Sequence, residues 1–294
     1  MARIALVLNA GSGAGDPQAA DRIVRAFAVH GVEPSLAVVS GGEVGHAARR
    51  ALEEGASIVV AGGGDGTLST VASVLAETGV PMGILPLGTL NHFAKDLGIP
   101  LDLDKAVEVI VAGHSAAVDL GEVNGRYFIN NASMGLYPRL VGEREKEERA
   151  GRAKWKALAV AAVRIWRQYR HVHVVVNNGD RPRRTRTPFV FVGNNEYELE
   201  GLEVGRRQRL TDGQIQVCTA PEMTRMELVR VVAAAFTGRL RAADHFESLC
   251  ATECSIEAHS SPQSVTLDGE LYVMTMPLRF RTRPGMLRVI VPAP

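Results

Sequence analysis

The chain has 294 residues, 46% of them hydrophobic and 22% charged, and a formal net charge of +1. That is the balance of a globular protein of one large or two ordinary domains, each able to bury its own core. The three cysteines, Cys218, Cys250 and Cys254, make a poor disulfide framework, and no stretch approaches the roughly 18 uncharged apolar residues that cross a bilayer.

Residues 4–8 read as a first buried strand, too short an apolar run for a signal peptide. A small-residue turn follows, containing Asn9, Gly11, Ser12 and Gly13. A helix is expected over residues 17–30, with Ala20, Ile23, Val24 and Phe27 on one face. Residues 36–39 form the next strand, closed by Ser40-Gly41-Gly42, and residues 44–54 the next helix. The apolar run 57–61 then leads into Gly62-Gly63-Gly64-Asp65-Gly66-Thr67. Behind it, Leu68, Val71, Ala72 and Leu75 recur at helical spacing. This is a strand, a glycine turn and a helix start, whose free N–H groups and partial positive charge suit a phosphate. Asp65 is unexpected in an anion site; a divalent metal, a ribose hydroxyl or water would explain it, and a plain turn shaped by glycines is the simpler reading. Residues 82–85 form another strand, followed by Pro86-Leu87-Gly88-Thr89-Leu90-Asn91-His92 and a helix from about residue 93.

Alternating strands and helices predict βαβ units and a mostly parallel sheet. All four small-residue stretches leave strands at their carboxyl ends, where such sheets bind ligands. Neither the dinucleotide G-x-G-x-x-G fingerprint nor a Walker A lysine is present.

After Asp119 the pattern changes to short strands near residues 127–131, 171–176, 189–192, 214–219, 255–258, 264–267, 278–281 and 287–291. These predict a β-sandwich, with a boundary near residue 121 dividing the chain into 1–121 and 122–294. Helices are expected at about 142–169 and 225–239. The first carries nine Lys/Arg within residues 142–170 and both tryptophans, Trp155 and Trp166. It suits either a peripheral contact with an anionic membrane surface or a helix packed on the sandwich. The basic clusters at 181–186 and 206–209 read as loop charges or anion contacts. No aromatic residues interleave them, so no nucleic-acid partner is expected. Cys250 and Cys254 lack a second ligand pair at zinc spacing, and free thiols in a reducing, cytoplasmic compartment are expected. Late in the chain, Asp268 and Glu270 flank Gly269. One acid could accept a proton from an attacking hydroxyl and the other orient water or metal; a hairpin turn is the plainer reading.

Gly63-Gly64-Asp65-Gly66-Thr67, Pro86-Leu87-Gly88-Thr89-Leu90-Asn91, Val118-Asp119-Leu120-Gly121, Leu210-Thr211-Asp212-Gly213 and Leu267-Asp268-Gly269-Glu270 occur in this order. In that order the chain resembles the diacylglycerol kinase-type lipid kinases, including soluble bacterial enzymes and sphingosine kinases, over nearly its whole length. The first motif is shared with NAD kinases and phosphofructokinases; the later ones select the lipid-kinase branch.

The resemblance implies a phosphofructokinase/NAD kinase-like α/β domain, a C-terminal β-sandwich and an active site between them. It implies ATP over Gly63, Gly64, Asp65, Gly66, Thr67, Leu68, Ser69 and Thr70, assisted by Asn9, Gly11, Ser12, Gly13, Ser40, Gly88, Thr89 and Asn91. Asp65 would serve the Mg²⁺–phosphate region. Asp268 and Glu270 would supply the base, with the choice between them open. A further Mg²⁺ would be held by Asp212 and the carbonyls of Arg209 and Gln214. The acceptor would be a lipid alcohol met at the inner membrane face. The oligomeric state is left open, a homodimer included. His92 stands where the family usually has aspartate. An NAD kinase-like enzyme and a non-catalytic lipid- or nucleotide-binding relative are the alternatives.

Overall fold

The computed structural model describes residues 3–14, 17–135, 172–177, 182–200, 203–220, 222, 224–227, 230, 247–258 and 261–293. The expected helix at 142–169, with both tryptophans, and most of that at 225–239 lie outside the described residues.

The first region alternates strands and helices: β1 (Ile4–Asn9), α1 (Pro17–Val29), β2 (Ser35–Val39), α2 (Val44–Glu53), β3 (Ile58–Gly63), α3 (Asp65–Leu75), β4 (Met82–Pro86), α4 (His92–Asp96) and α5 (Leu103–Ala112). Strands β2, β1, β3 and β4 lie side by side and parallel. Every residue of β3 and β4 is buried. Burial on both faces is why these strands read as unbroken apolar runs instead of alternating ones. Helix α5 shows how local chemistry sets an end: the Asp102 carboxylate accepts the Lys105 N–H at 3.1 Å, and Gly113 closes the helix at φ 73°.

The remaining described strands pair antiparallel with one another, and only β18 also meets β4 in parallel: β5 (Ser115–Val123), β6 (Arg126–Phe128), β7 (Asn131–Gly135), β8 (Val172–Asn177), β9 (Arg183–Thr187), β10 (Phe189–Asn194), β11 (Tyr197–Glu200), β12 (Glu203–Arg207), β13 (Ile215–Thr219), β14 (Glu247–Ala251), β15 (Glu253–Ala258), β16 (Gln263–Leu267), β17 (Glu270–Met274) and β18 (Leu278–Ile290). One six-stranded sheet runs β14-β13-β10-β7-β16-β17. The other sheet is continuous with the parallel one, in the order β2-β1-β3-β4-β18-β15-β8-β9, with β5 also paired to β18. The expected pair of strands at 278–281 and 287–291 is one strand with a register shift between Arg283 and Leu287. Its first half packs Leu278 and Phe280 into the sandwich core, and its second half packs Leu287, Val289 and Ile290 into the α/β core. The molecule is thus a mostly parallel α/β domain joined to an antiparallel β-sandwich, as the sequence predicts.

Residues 183–186 are not a loop but part of β9, where Arg183 pairs with Glu247 and Arg186 with Glu222, each at 3.1 Å. Charge alone obscured a strand that meets solvent along one side.

Candidate active site

The carboxyl ends of β1, β2, β3 and β4 bring their loops together. Asn9 Nδ2 donates to Thr67 Oγ1 at 2.9 Å, and Asn9 Oδ1 accepts the Gly11 N–H. Ser12 Oγ donates to the Asn9 carbonyl, and a β-carbon on Gly41 would stand 3.6 Å from Asn9 Nδ2. Ser40 Oγ donates to Glu43 Oε2. The fourth loop touches the third by its backbone: a β-carbon on Gly88 would lie 2.4 Å from Gly64 Cα, so only glycine fits there. Asn91, at φ 51°, folds this loop by accepting from Gly88 N and donating to the carbonyls of Gly88 and Pro86.

Helix α3 starts in the middle of this ring. Its N-cap is Gly64, so no capping side chain occupies the first-turn amides. Those amides and the helix dipole leave an anion-binding end. Asp65 sits in that first turn with a second task. Its carboxylate accepts the N–H groups of Phe93 (3.0 Å) and His92 (3.2 Å), and the side chain of Asn130 at 3.4 Å. It therefore caps α4, binding the third loop to the fourth. The His92 residue is exposed, and its structural contribution here is its backbone N–H.

The β-sandwich contributes the turn between β16 and β17. Asp268 at φ 46° and Gly269 at φ 91° both have the positive φ of a tight hairpin turn. The hairpin reading and the functional reading therefore describe one turn. The Asp268 carboxylate accepts four hydrogen bonds: Ser69 Oγ (2.5 Å) and Ile129 N (2.8 Å) at Oδ2, Asn130 N (2.8 Å) and Asn131 N (3.0 Å) at Oδ1. A carboxylate has about four acceptor positions, so Asp268 is saturated. Burial pushes its carboxyl above the ordinary range, against the pull of these four donors. Glu270 is different. It is exposed, and a β-carbon on Gly66 would stand 3.4 Å from its Oε1. Its Oε2 accepts the Tyr272 hydroxyl at 2.8 Å.

Behind this junction lies a buried cation. Arg207 Nε meets Asp96 Oδ2 at 2.8 Å, with both side chains at most 5% exposed. The guanidinium also donates to the carbonyls of Ile129 and Asn194 and to Asn130 Oδ1. It lies 5.2 Å from the Tyr197 ring centre and 5.9 Å from that of Phe93. A continuous path thus runs from Asp65 through Asn130 and Arg207 to Asp96. From the sequence, Arg207 belongs to a basic cluster that reads as loop charges or anion contacts. Nothing in its spacing signals burial, because its partners lie 78 and 111 residues away.

Asp119 is buried and accepts from Gly213 N (2.8 Å) and Gly285 N (2.9 Å). Among the described residues, no group of three His, Cys, Asp or Glu side chains is placed to hold a metal ion. The three cysteines are free thiols.

Comparison with known proteins decides the family. The model for the diacylglycerol kinase catalytic domain matches residues 3–123. That for the YegS C-terminal NAD kinase beta sandwich-like domain matches residues 140–291, more than half of the chain. The chain belongs to the diacylglycerol kinase-type lipid kinase family.

Among curated relatives in this family, a diacylglycerol kinase of Staphylococcus carnosus is 43% identical over 34% of this chain and 34% of its own. A diacylglycerol kinase of Staphylococcus aureus is 46% identical over 30% of this chain and 29% of its own. An uncharacterised protein of Synechocystis is 28% identical over 81% of this chain and 56% of its own. The matched stretches thus span about a third to somewhat over half of these relatives' length. A solved diacylglycerol kinase from Bacillus anthracis has the same fold, with a TM-score of 0.70 at 17% identity, covering 99% of this chain and 97% of that one. A second structure from that organism reaches 0.75 at 20% identity, covering 99% and 95%.

The family implies a nucleotide and a divalent metal, and the oxygen donors on the second-domain loop suit such an ion. Among the described residues, the charged contact of Asp212 is with Arg209 Nη1 at 3.9 Å. The neighbouring Gln214 carbonyl accepts from Asn195 N, while among the described residues neither polar side-chain atom of buried Asn195 has a partner. A carboxylate with main-chain carbonyls is the hard oxygen set that Mg²⁺ takes.

Proposed function

We propose that the protein is an ATP- and Mg²⁺-dependent kinase that phosphorylates the hydroxyl of diacylglycerol or a related lipid alcohol. The observation that carries this reading is the junction of α3 with the β16–β17 turn. There a phosphate-type helix start meets two carboxylates brought from the other domain. The triphosphate would lie over Gly63, Gly64, Gly66, Thr67, Leu68, Ser69 and Thr70, with Asn9, Gly11, Ser12, Gly13, Ser40, Gly88, Thr89 and Asn91 shaping the neighbouring loops. Phosphoryl transfer asks mainly for positioning and charge neutralisation, which fixed backbone N–H groups supply at no reorganisation cost.

Glu270 is the better base of the two acids. Asp268 has no free acceptor position, and three of its four donors are backbone amides that cannot rotate away. Among the described residues, one oxygen of Glu270 has no hydrogen-bond partner, on the side of Gly66. The acceptor O–H bond breaks with its proton passing to Glu270 Oε1. The acceptor oxygen bonds to the γ-phosphorus as the bond to the bridging oxygen breaks, releasing ADP. Asp268 holds the 129–131 backbone and Ser69 in register, so that the two domains present one cleft. Mg²⁺ bound with the nucleotide would neutralise phosphate charge beside Asp65. A second ion would brace the 209–214 loop through Arg209 O, Asp212 and Gln214 O.

No helix among the described residues is long and apolar enough to cross a membrane. The reading accordingly places the enzyme in the cytoplasm, taking its acceptor by peripheral contact with the inner membrane face. Radiolabelled ATP incubated with a total lipid extract tests it, with NAD as a parallel acceptor. Label in a lipid product is expected. NADP formation would favour the NAD kinase-like alternative, and nucleotide or lipid binding without any transfer would favour a non-catalytic relative.

A further inference from the structure

Glu270 and Tyr272 are two residues apart on β17, so they share one face of the strand. The Tyr272 hydroxyl donates to Glu270 Oε2 at 2.8 Å, and among the described residues no other donor reaches this carboxylate. Tyr272 is itself held from two sides. Its half-buried ring packs against the sandwich core, and the Arg126 guanidinium lies 4.8 Å from the ring centre, within cation–π range. Arg126 is on β6, a different hairpin, so the ring is clamped between separate elements. Nothing in the reaction proposed above uses either residue.

We propose that Tyr272 is a positioning residue: its clamped hydroxyl fixes Oε2 of Glu270 and so turns Oε1 toward the glycine loop. This rests on Glu270 being the base. An exposed glutamate left to itself samples several rotamers, and only some would face Gly66. One hydrogen bond from a ring held by the core and by Arg126 removes part of that freedom before the acceptor arrives. The phenol also stays a donor under working conditions. Burial, then the hydrogen bond and charge of Glu270, push it up to about 12.

Two measurements test this. In lipid phosphorylation, Tyr272→Phe should lower kcat about tenfold, with KM for ATP unchanged, as expected for a misaimed base. In a Glu270→Gln background the same change should cost nothing further on the residual rate; an equal additional loss there would overturn the proposal. The second reading needs no turnover. Protein labelled with ¹³Cζ-tyrosine gives five resonances, of which Tyr272→Phe identifies one. Glu270→Gln should move that resonance, and an unmoved signal would overturn the pairing. Wild-type protein that phosphorylates no lipid would defeat the kinase reading alone, while the resonance would still decide the contact.

Discussion

The two sides of the junction between α3 and the β16–β17 turn are built by different means. The α/β side consists of four loops, each following its own strand, and the first and fourth take their shape largely from residues a few positions away. Asn91 closes on Pro86 and Gly88, and Asn9 on Gly11 and Ser12. The sandwich side consists of a single turn, Asp268-Gly269, whose role depends on partners 137 to 199 residues distant. The first side supplies backbone N–H groups that any strand–glycine–helix unit can offer. The second supplies the two acids to which the proposed transfer assigns its proton chemistry, and the Arg207–Asp96 ion pair joins the two. The lesson is that nucleotide affinity and transfer should separate experimentally by side.

The sharpest separation comes from Asp268→Asn. Its amide would turn N–H₂ toward fixed N–H donors, leaving amides unpaired at about 1–3 kcal/mol each. We expect at least a hundredfold loss of transfer, of the order seen when positioned groups are lost, with a lowered melting temperature. The pH dependence carries a sign. Because burial raises this carboxyl in the folded state, its contribution to stability is full at low pH. That contribution is lost as pH rises from about 4, the ordinary carboxylate value, through the raised one. Melting curves across that window should show the wild type losing this increment and Asp268→Asn lacking it.

Breaking the link between the sides comes next. Arg207→Met leaves Asp96 buried without its cation and should cost about 3–5 kcal/mol in denaturant unfolding. The double variant Arg207→Met/Asp96→Leu should recover much of that, because the buried charge is gone. No recovery would mean that the guanidinium's bonds to Ile129, Asn130 and Asn194 matter more than the ion pair.

On the α/β side, Gly88→Ala forces a β-carbon to 2.4 Å from Gly64 Cα and must part the two loops. KM for ATP should rise about tenfold, the cost of misplacing a few backbone contacts, with KM for the lipid little changed. A matching rise in lipid KM would dissolve the proposed division of labour.

The smallest expected effect lies away from the cleft, at Glu122. Burial alone would raise its carboxyl, but hydrogen bonds and charge from Arg281 and Arg283 outweigh it and hold it below the ordinary value. A depressed carboxyl adds stability above the unfolded value, about 4.3, that is lost as pH falls through the folded one. Glu122→Gln should therefore lower the melting temperature at pH 7, and the gap should close in acid. It should leave transfer unchanged.

This contrast also explains what could be read from the sequence. The βα units, their loops and the hairpin at Asp268-Gly269 are local, and local patterns carry them. Asp65 was visible as an acid in a phosphate loop, but its cap on α4 was not, because His92 and Phe93 donate through backbone atoms that any residue would offer. Arg207 was hidden in a basic run. Tyr272 lies on a strand with little apolar alternation, and its partner Arg126 comes from another hairpin. Periodicity reports which face is buried; it does not report which distant polar group waits there.

The central claim is that Glu270, aimed at the glycine loop, takes the proton of a lipid hydroxyl during transfer from ATP. The most direct test follows label from γ-³²P-ATP into diacylglycerol presented in mixed micelles, comparing wild type with Glu270→Gln at matched folding. The account predicts a labelled lipid phosphate from the wild type, a rate lower by about a thousandfold in the variant, and equal melting temperatures, since this side chain is exposed. Undiminished transfer by a folded Glu270→Gln protein would contradict it.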